Sequence, residues 1–211
     1  MPRPPDEGTT APSRRRRNQE RTRERIYATA VLLFSRKGYA DTSVAEIAAC
    51  ADIGRGTFFN YFAHKDCLIS AWTQDRLRKL DSRVTGRLRG GAGTAEALYA
   101  YMTALGDLNE EEPELSAAML TAWIQAGWMA ERRPELGAVF AGVVERGLVR
   151  GDVSGAVSPE RVGDVLWGLY VGALHRWAGR APDRRRGLLD TELRLGVQLL
   201  LNGLAPTSAR L

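Results

Sequence analysis

The chain has 211 residues, a length that suits one domain or a small domain joined to a larger one. Hydrophobic residues make up 44% of it and charged residues 26%, which excludes general disorder. The sequence has no uncharged apolar run of ~18 residues and no apolar stretch behind its N-terminal arginines, which argues against a membrane span and a secretory signal. We expect a cytoplasmic protein whose two cysteines, Cys50 and Cys67, are reduced packing residues.

Positive charge is concentrated at the front of the chain. Residues 1–65 carry 12 Lys or Arg against 7 Asp or Glu, whereas residues 66–211 carry 18 of each kind. The whole formal net charge of +5 therefore lies in the first third. A small basic segment attached to a neutral body is typical of a polyanion-binding domain joined to a domain with another task.

The first 17 residues contain four prolines and end in a run of arginines from Arg14 to Arg17. They offer little apolar surface to bury, so we expect residues 1–17 to form a disordered basic arm. The arm is either a solvated tail or a segment that DNA phosphates attract electrostatically.

From Asn18 the apolar residues adopt helical spacing, with Ile26, Ala30 and Phe34 on one stripe and Gly38 at the predicted end. The rest of the chain has similar helical patterns and no alternating strand pattern. These helical patterns predict an all-α protein with about nine helices. Residues 18–65 would form an N-terminal three-helix domain, and residues 66–211 a second, helical domain.

Two short helices joined by a tight turn form a predicted helix-turn-helix. The first covers about residues 43–51, and Ser43 with Glu46 fits a capping box. Residues 52–54 form the turn, and the second helix covers residues 55–62. Its outward side chains suit DNA, since arginine binds the O6 and N7 of guanine and asparagine binds adenine. A solvated helical hairpin is the alternative.

The sequence here closely resembles the DNA-binding head of TetR-family (tetracycline-repressor-like) regulators. The resemblance is carried by TSVAEIA at residues 42–48, DIGRGTFFNYF at residues 52–62 and KD at residues 65–66. It implies a homodimer that binds a palindromic operator and represses until a small molecule enters the C-terminal domain.

The resemblance also assigns roles to individual residues. Thr57, Tyr61 and Lys65 are implied to bind phosphates, and Thr42 or Ser43 is implied to offer a hydroxyl or a helix-end N–H to the DNA backbone. Those implied to face the major groove are Arg55, Gly56, Phe59 and Asn60. Three positions differ from the commonest family pattern, because Asp52 replaces a turn glycine, Gly54 a serine cap and Phe59 a tyrosine. Aspartate tolerates positive φ better than most residues, so we expect the turn to survive.

Aromatic and methionine side chains in the second domain are candidates for a ligand pocket. They are Tyr99, Met102, Met119, Trp123, Trp167 and Tyr170. Aromatic and methionine side chains at helical spacing usually belong to the hydrophobic core. Taken together, however, this set favours a small hydrophobic or aromatic effector. Acidic residues near Asp107 and Glu110 are solvated loop charges or the mouth of a pocket for a cation.

The last two long helices are predicted to form the dimer interface, as an intersubunit four-helix bundle. The last helix is apolar over more than half its circumference and therefore needs two partners, its own core and the twofold mate. A fully buried helix of a monomer is the alternative. The interface residues that we expect are Val165, Leu169, Gly172, Leu193, Val197 and Leu200.

The sequence indicates no enzyme, metal site or cofactor. His175 stands alone on its helix, and no nucleophile elbow or phosphate loop is present. We therefore expect a DNA-binding transcriptional regulator, most simply an effector-released repressor. An effector-independent regulator or an activator is the alternative, and a helical enzyme or interaction module has no catalytic constellation to support it.

Overall fold

The computed structural model describes residues 14–88, 91–127 and 135–202, and the backbone in these ranges forms nine α-helices and no strand. The helices are α1 (Arg14–Lys37), α2 (Val44–Cys50), α3 (Arg55–Phe59), α4 (Cys67–Arg87), α5 (Thr94–Glu111), α6 (Pro113–Gln125), α7 (Glu135–Arg150), α8 (Pro159–Ala178) and α9 (Leu188–Asn202). The short 3-10 turn Pro182–Arg184 precedes α9. The all-α prediction is confirmed.

Helix α1 begins at Arg14, so the arginine run is helical and the prediction of disorder is wrong for residues 14–17. Arginine has a high helix propensity, and Arg16 pairs with Glu20 one turn later at 3.1 Å. Once a helix has nucleated further along the chain, extending it through such residues costs little free energy. The rest of the predicted arm, residues 1–13, lies outside the described residues.

Helices α1–α3 enclose an apolar core. Ile26 and Phe34 of α1, Ile47 of α2 and Phe58 of α3 are each at most 1% exposed. Their spacing on α1 is the stripe that the sequence predicts. We call α1–α3 the head, and the apolar side chains buried around these four residues the head cluster.

The head cluster extends beyond the head. Ile69 near the start of α4 belongs to it, as do Leu115, Met119 and Ala122 of α6. Helix α6 therefore packs on the head, although more than fifty residues separate it in sequence from α3. The hydrophobic core of the head therefore continues across the boundary between the two predicted domains.

The capping box at α2 is only half formed. The hydroxyl of Ser43 accepts a hydrogen bond from the backbone N–H of Glu46 at 3.1 Å, as predicted. The Glu46 carboxylate pairs instead with the ammonium of Lys37, at the end of α1. This ion pair links α1 to α2.

Helices α4–α9 form the body around a second core. Helix α5 contacts α4, α7 and α9, and α7 packs along α8. Gly137 and Gly163 allow the closest approach of α7 and α8, because a Cβ built on Gly163 would lie 2.3 Å from the carbonyl oxygen of Gly137.

Several predicted boundaries move or lie outside the described residues. Helix α3 ends at Phe59, three residues earlier than predicted, and α4 begins at Cys67. The sequence also predicts a helix end near residue 132, a helix start at Pro134 and an end of the last helix at Gly203, and these three positions lie outside the described residues. None of the described helices has the length and apolar character needed to cross a bilayer.

Candidate DNA-binding face and effector cavity

Helix α3 has one buried and one exposed face. Phe58 is fully buried, whereas Arg55, Gly56, Phe59 and Asn60 are exposed, Phe59 by 45%. The Phe59 ring meets Phe58 edge-on, with centroids 5.5 Å apart. The exposed arginine and aromatic ring of this short helix thus lie beside the amide of Asn60, its C-terminal cap, and offer the donors and apolar surface that base edges require.

The turn before α3 has the geometry that the sequence predicts. Asp52 has a φ of 51° and is the only non-glycine residue in the described ranges with a positive φ. Gly54 begins α3 without a side-chain cap, as expected from the missing serine. A Cβ built on Gly56 would meet no atom within 4 Å, so the backbone of α3 is open to close approach.

A shallow groove separates α3 from α1. Gln19, Glu20 and Arg23 of α1 line one side, and Thr57, Asn60 and Tyr61 line the other. Thr57 and Tyr61 are half-buried at this edge. The Arg23 guanidinium lies 5.0 Å from the centroid of Phe62 and extends the basic surface, a contribution that the sequence analysis did not assign.

Thr42 and Ser43 have different environments. Thr42 is 1% exposed, and its hydroxyl donates to the carbonyl oxygen of Gly38 at 2.7 Å. Its side chain is therefore unavailable to DNA, and the predicted contact through this hydroxyl is wrong. Gly38 directly follows α1, so this bond satisfies a carbonyl at the end of that helix. Ser43 is exposed and caps α2.

Lys65 is held by the head itself. Its ammonium donates to the carbonyl oxygens of Tyr39 at 2.8 Å and Thr42 at 3.0 Å, and it lies 4.0 Å from the centroid of the Tyr39 ring. Burial lowers the pKa of Lys65, while the charge of Asp66 partly opposes this shift. Two of its three donors are therefore occupied, and one remains for a phosphate.

The body contains a cavity of about 330 Å³ lined by side chains from α4 to α8. Its apolar wall includes four leucines of α4 and α5 and the rings of Trp72, Trp123, Trp167 and Tyr170. The ring centroids of Trp123 and Trp167 are 5.3 Å apart, and those of Trp167 and Tyr170 are 5.9 Å apart. The volume lies within the range typical of small-molecule sites, about 300–1,000 Å³.

Three of the six predicted ligand residues line this cavity, namely Trp123, Trp167 and Tyr170. Tyr99, Met102 and Met119 do not. Met102 is buried in the body core, and the Tyr99 ring lies 6.0 Å from the Arg194 guanidinium of α9.

The register along each helix explains these differences. Helix α5 presents Leu105, Leu108 and Asn109 to the cavity, and all three lie further along the helix than Met102. Met119 is enclosed in the head cluster, one turn before Trp123 reaches the cavity.

Two buried polar residues of the cavity wall, Arg76 and Asn109, are not predicted as site residues from the sequence. Arg76 donates from Nη1 to the carbonyl oxygen of Leu108 at 2.6 Å and from Nη2 to the Ser116 hydroxyl at 2.7 Å. Glu112 lies 3.2 Å from Nη1. The signal for Arg76 was its position on the apolar stripe of α4, where an arginine needs buried partners.

Asn109 bridges the cavity wall to Tyr170. Its Nδ2 donates to the carbonyl oxygen of Leu105 at 2.7 Å and to the Tyr170 hydroxyl at 3.0 Å. Burial raises the pKa of Tyr170, although the bond from Asn109 and the charge of Arg76 oppose this shift. The Tyr170 side chain therefore stays a neutral hydroxyl at physiological pH.

The outer surface of α8 and α9 carries an exposed apolar face. Val165 and Leu195 are each 54% exposed, Leu199 is 49% exposed and Leu200 is 37% exposed. Leu169 and Gly172 are half-buried on the same two helices. We call these residues the α8–α9 face.

Leu193 and Val197 are fully buried in the body core, so their predicted place at a dimer interface is wrong. With Leu189 they form an i, i+4, i+8 stripe that faces the protomer's own core. Gly196 lets α9 approach α8, because a Cβ built on it would lie 2.3 Å from Leu169 Cδ1. The described residues contain no group of three or more His, Cys, Asp or Glu side chains arranged to hold a metal.

Comparison with known proteins identifies the family. Residues 26–71 match the family of bacterial regulatory proteins, tetR family. FadR of Thermus thermophilus, described as a TetR-family transcriptional repressor in complex with lauroyl-CoA, is 30% identical. The match covers 90% of this chain and 98% of that one, with a TM-score of 0.72. FadR of Bacillus subtilis, in complex with stearoyl-CoA, shares the fold at 17% identity, covering 86% of this chain and 99% of that one with a TM-score of 0.66.

Two relatives that are similar in sequence are transcriptional regulators. The mycofactocin biosynthesis transcriptional regulator MftR of Mycobacterium tuberculosis is 31% identical over 55% of this chain and 64% of its own. An HTH-type transcriptional regulator of the same species is 26% identical over 60% of this chain, and the match spans 57% of that relative. The chain therefore belongs to the TetR family of DNA-binding transcriptional regulators.

Proposed function

We propose that the protein is a homodimeric repressor that binds a palindromic operator through two copies of α3. The observation that carries this proposal is the exposure of Arg55, Phe59 and Asn60 on one face of α3, above a fully buried Phe58. Arginine and asparagine supply bidentate hydrogen bonds to guanine and adenine, and the aromatic ring suits a thymine methyl group. Thr57, Tyr61, Ser43 and the remaining donor of Lys65 would hold the DNA backbone.

The second copy of the chain would pack on the α8–α9 face. About half of each of the side chains of Val165, Leu195 and Leu199 is exposed, and a group of exposed apolar side chains marks an interaction surface. They lie on two long helices joined by the ion pair between Arg176 and Glu192 at 3.1 Å. Self-packing of two such helices gives an isologous four-helix interface. A dimer of this kind would place its two recognition helices about 34–36 Å apart, one turn of B-DNA.

The cavity would hold a small hydrophobic or aromatic effector that releases the DNA. Trp72 and Trp123 line the cavity and also pack with the head cluster. A ligand that displaces either ring must therefore move α4 or α6 relative to the head. Such a ligand shifts the population away from the DNA-binding arrangement if it binds the other arrangement more tightly.

The effector class has two candidates. The aromatic wall of Trp123, Trp167 and Tyr170 favours a small aromatic molecule. The similarity to Thermus thermophilus FadR, whose structure contains lauroyl-CoA, favours a long-chain acyl-CoA. A regulator without an effector, or an activator, would share the α3 face but not require ligand-dependent release.

Selection from a pool of random DNA duplexes tests the DNA-binding part of the proposal. The enriched sequence should be an inverted repeat with half-sites about one helical turn apart, bound by two protomers in native mass spectrometry. A single unrepeated site, or one protomer per duplex, would contradict the proposed dimer. Failure to enrich any sequence would contradict the operator.

Ligand release is tested on the complex formed with the selected duplex. Lauroyl-CoA or a small aromatic ketone should lower the fluorescence anisotropy of the labelled DNA. Trp123→Ala should retain DNA binding and lose release, whereas Thr121→Ala, an exposed change on the same helix, should keep both. Release that persists unchanged in Trp123→Ala would place the effector elsewhere.

A further inference from the structure

The first half of α1 carries more positive charge than the recognition helix does. Residues 14–25 contain seven arginines and two glutamates, a formal balance of +5 that equals the net charge of the whole chain. Helix α3 contains one basic residue, Arg55, and α2 contains none. The basic character of the head therefore comes mainly from α1, which precedes the helix-turn-helix in sequence.

The arginines at the start of α1 are not part of the packed core. Every residue from 14 to 21 is exposed, and the first buried residue of the helix is Ile26. The head cluster, which also includes side chains of α6, begins on α1 at Ile26. The first two turns of α1 therefore project from the head and are supported by the rest of the helix.

These projecting turns continue past the edge of the recognition helix. The groove between α1 and α3 is lined by Glu20 and Arg23 on one side and by Asn60 and Tyr61 on the other. Arg14 precedes Arg23 by nine residues, so the helix extends about 14 Å beyond this level at 1.5 Å per residue. Phosphates of one DNA strand are roughly 3.4 Å apart along the helix axis, so this length corresponds to about four nucleotides. The basic surface thus extends from α3 toward the backbone that flanks a half-site.

The charges at this end of α1 oppose the helix dipole. The N-terminal end of an α-helix is positive, so acidic residues stabilise it and cations destabilise it. The first turn of α1 consists of four arginines and has no acidic residue. The ion pair between Arg16 and Glu20 is exposed, and solvent screens such a pair. A row of phosphates would supply the negative charge that stabilises this end of the helix.

From these observations, which rest on the proposed operator binding, we propose that Arg14–Arg17 bind the backbone phosphates flanking each half-site and that this contact stabilises the first turns of α1. Blocks of basic residues near a chain terminus suit nucleic acid. An acidic protein surface would also suit them, but their position next to the groove of α3 favours DNA. Contacts to phosphates carry no direct sequence information, so this contact adds affinity and lengthens the bound duplex while α3 reads the bases.

A fourfold variant tests the contact. It combines Arg14→Ala, Arg15→Ala, Arg16→Ala and Arg17→Ala, which remove the charge and keep a high helix propensity. The control removes the same charge from four exposed arginines of the body, with Arg78→Ala, Arg87→Ala, Arg146→Ala and Arg184→Ala. Anisotropy titrations with the selected operator should show a slope of log affinity against log salt that is smaller by about two units or more in the fourfold variant. The body control should keep the slope of the wild type.

Duplex length locates the contact. One duplex ends at the outer edges of the half-sites, and the other has about six further base pairs, roughly 20 Å, on each side. The wild type and the body control should bind the longer duplex severalfold more tightly, whereas the fourfold variant should bind both equally. Equal affinity of the wild type for the two duplexes, or an unchanged salt slope in the fourfold variant, overturns the proposal.

Amide hydrogen exchange tests the stabilised helix. Exchange in residues 14–21 of the wild type should slow when the longer duplex is bound and should change much less on the shorter one. Equal exchange on the two duplexes would contradict the proposed stabilisation of α1.

Failure of this inference can be told apart from failure of the proposed function. If the protein selects an inverted repeat but the fourfold variant binds both duplexes as the wild type does, operator recognition by α3 stands. The arginines are then not a DNA contact, and an acidic protein surface becomes their candidate partner. If no duplex of either length is bound more tightly than random DNA, the proposed operator binding is wrong as well.

Discussion

The Arg76 guanidinium donates from Nη2 to the hydroxyl of Ser116 at 2.7 Å, and this buried bond ties α4 to α6 beside the cavity. Both helices reach the head cluster, α4 through Ile69 and α6 through Met119. The hydroxyl of Ser116 donates in turn to the carbonyl oxygen of Asn109 at 3.3 Å. The two connections from the body to the head are therefore joined at one polar junction in the cavity wall.

Ser116→Ala should lower the free energy of unfolding by about 1–3 kcal/mol, because it leaves a buried guanidinium N–H without its acceptor. Urea denaturation measures this change. Thr121→Ala on the same helix is the control, since its hydroxyl is exposed and donates to the carbonyl of Ala117. We expect that control to stay within about 0.5 kcal/mol of the wild type. Equal effects of the two variants would show that the junction does not stabilise the fold.

Lys65→Ala should weaken binding to specific and random DNA by similar factors and reduce the slope of log affinity against log salt by about one unit. The reason is the one donor of Lys65 that the carbonyls of Tyr39 and Thr42 leave free. Anisotropy titrations at several salt concentrations measure the slope. An unchanged slope, with a loss of thermal stability alone, would assign Lys65 a purely structural role.

Gly163→Ala should destabilise the body by roughly 1–3 kcal/mol, since the added methyl group meets the Gly137 carbonyl oxygen and neither backbone can move cheaply. Gly86→Ala is the matched control on α4, where an added Cβ meets no atom within 4 Å. That change should stabilise the helix by about 0.5–1 kcal/mol. Thermal denaturation compares the two, and a neutral Gly163→Ala would contradict the close packing of α7 on α8.

Leu195→Glu should convert the proposed dimer into monomers, because it places a charge in the centre of the α8–α9 face. Val149→Glu is the control, since Val149 is 86% exposed at the end of α7, away from that face. Analytical ultracentrifugation measures the mass. A dimer that survives Leu195→Glu would move the interface to another surface.

Glu111 gives a prediction for pH. Bonds from both Nη atoms of Arg83, at 2.9 and 2.6 Å, hold the pKa of this carboxyl below its ordinary value of 4.5. The unfolded state therefore binds the proton more readily than the folded state. The stabilisation is complete above the unfolded pKa and is lost as the pH falls through the lower, folded pKa.

Glu111→Gln should accordingly melt at a lower temperature than the wild type at pH 7, and the difference should shrink as the medium is acidified below about pH 4.5. The effect is small because the pair is largely exposed. Arg83→Gln should remove the same pH-dependent difference. A difference in melting temperature between variant and wild type that grows on acidification would contradict this pH dependence.

The sequence predicts most of the fold because local signals are strong in it. The stripe of Ile26, Ala30 and Phe34, the Ser43 cap and the turn at Asp52 each depend on neighbours within a few residues. The exposed face of α3 follows from the same periodicity once Phe58 is placed inside. These features need no long-range contact to be recognised.

The cavity and the outer face of α9 could not be predicted in this way. Arg76 donates hydrogen bonds to Leu108 and Ser116, which are 32 and 40 residues away in sequence. A local sequence pattern does not predict partners at such a distance. The apolar residues of α9 cover two faces, and the pattern alone does not say which face meets the protomer's own core. The pattern therefore assigns Leu193 and Val197 to the dimer interface, whereas the structure buries both in the protomer's own core.

The most direct test of the account compares Arg55→Ala with the wild type on the selected operator and on random DNA. The variant should lose about 1–3 kcal/mol of binding free energy on the operator, relax the preference at one base pair, and lose much less on random DNA. Arg78→Ala, which removes an exposed arginine of α4, should leave the affinity for the operator and the affinity for random DNA unchanged. Equal losses for Arg55→Ala on both kinds of DNA would contradict sequence recognition by α3.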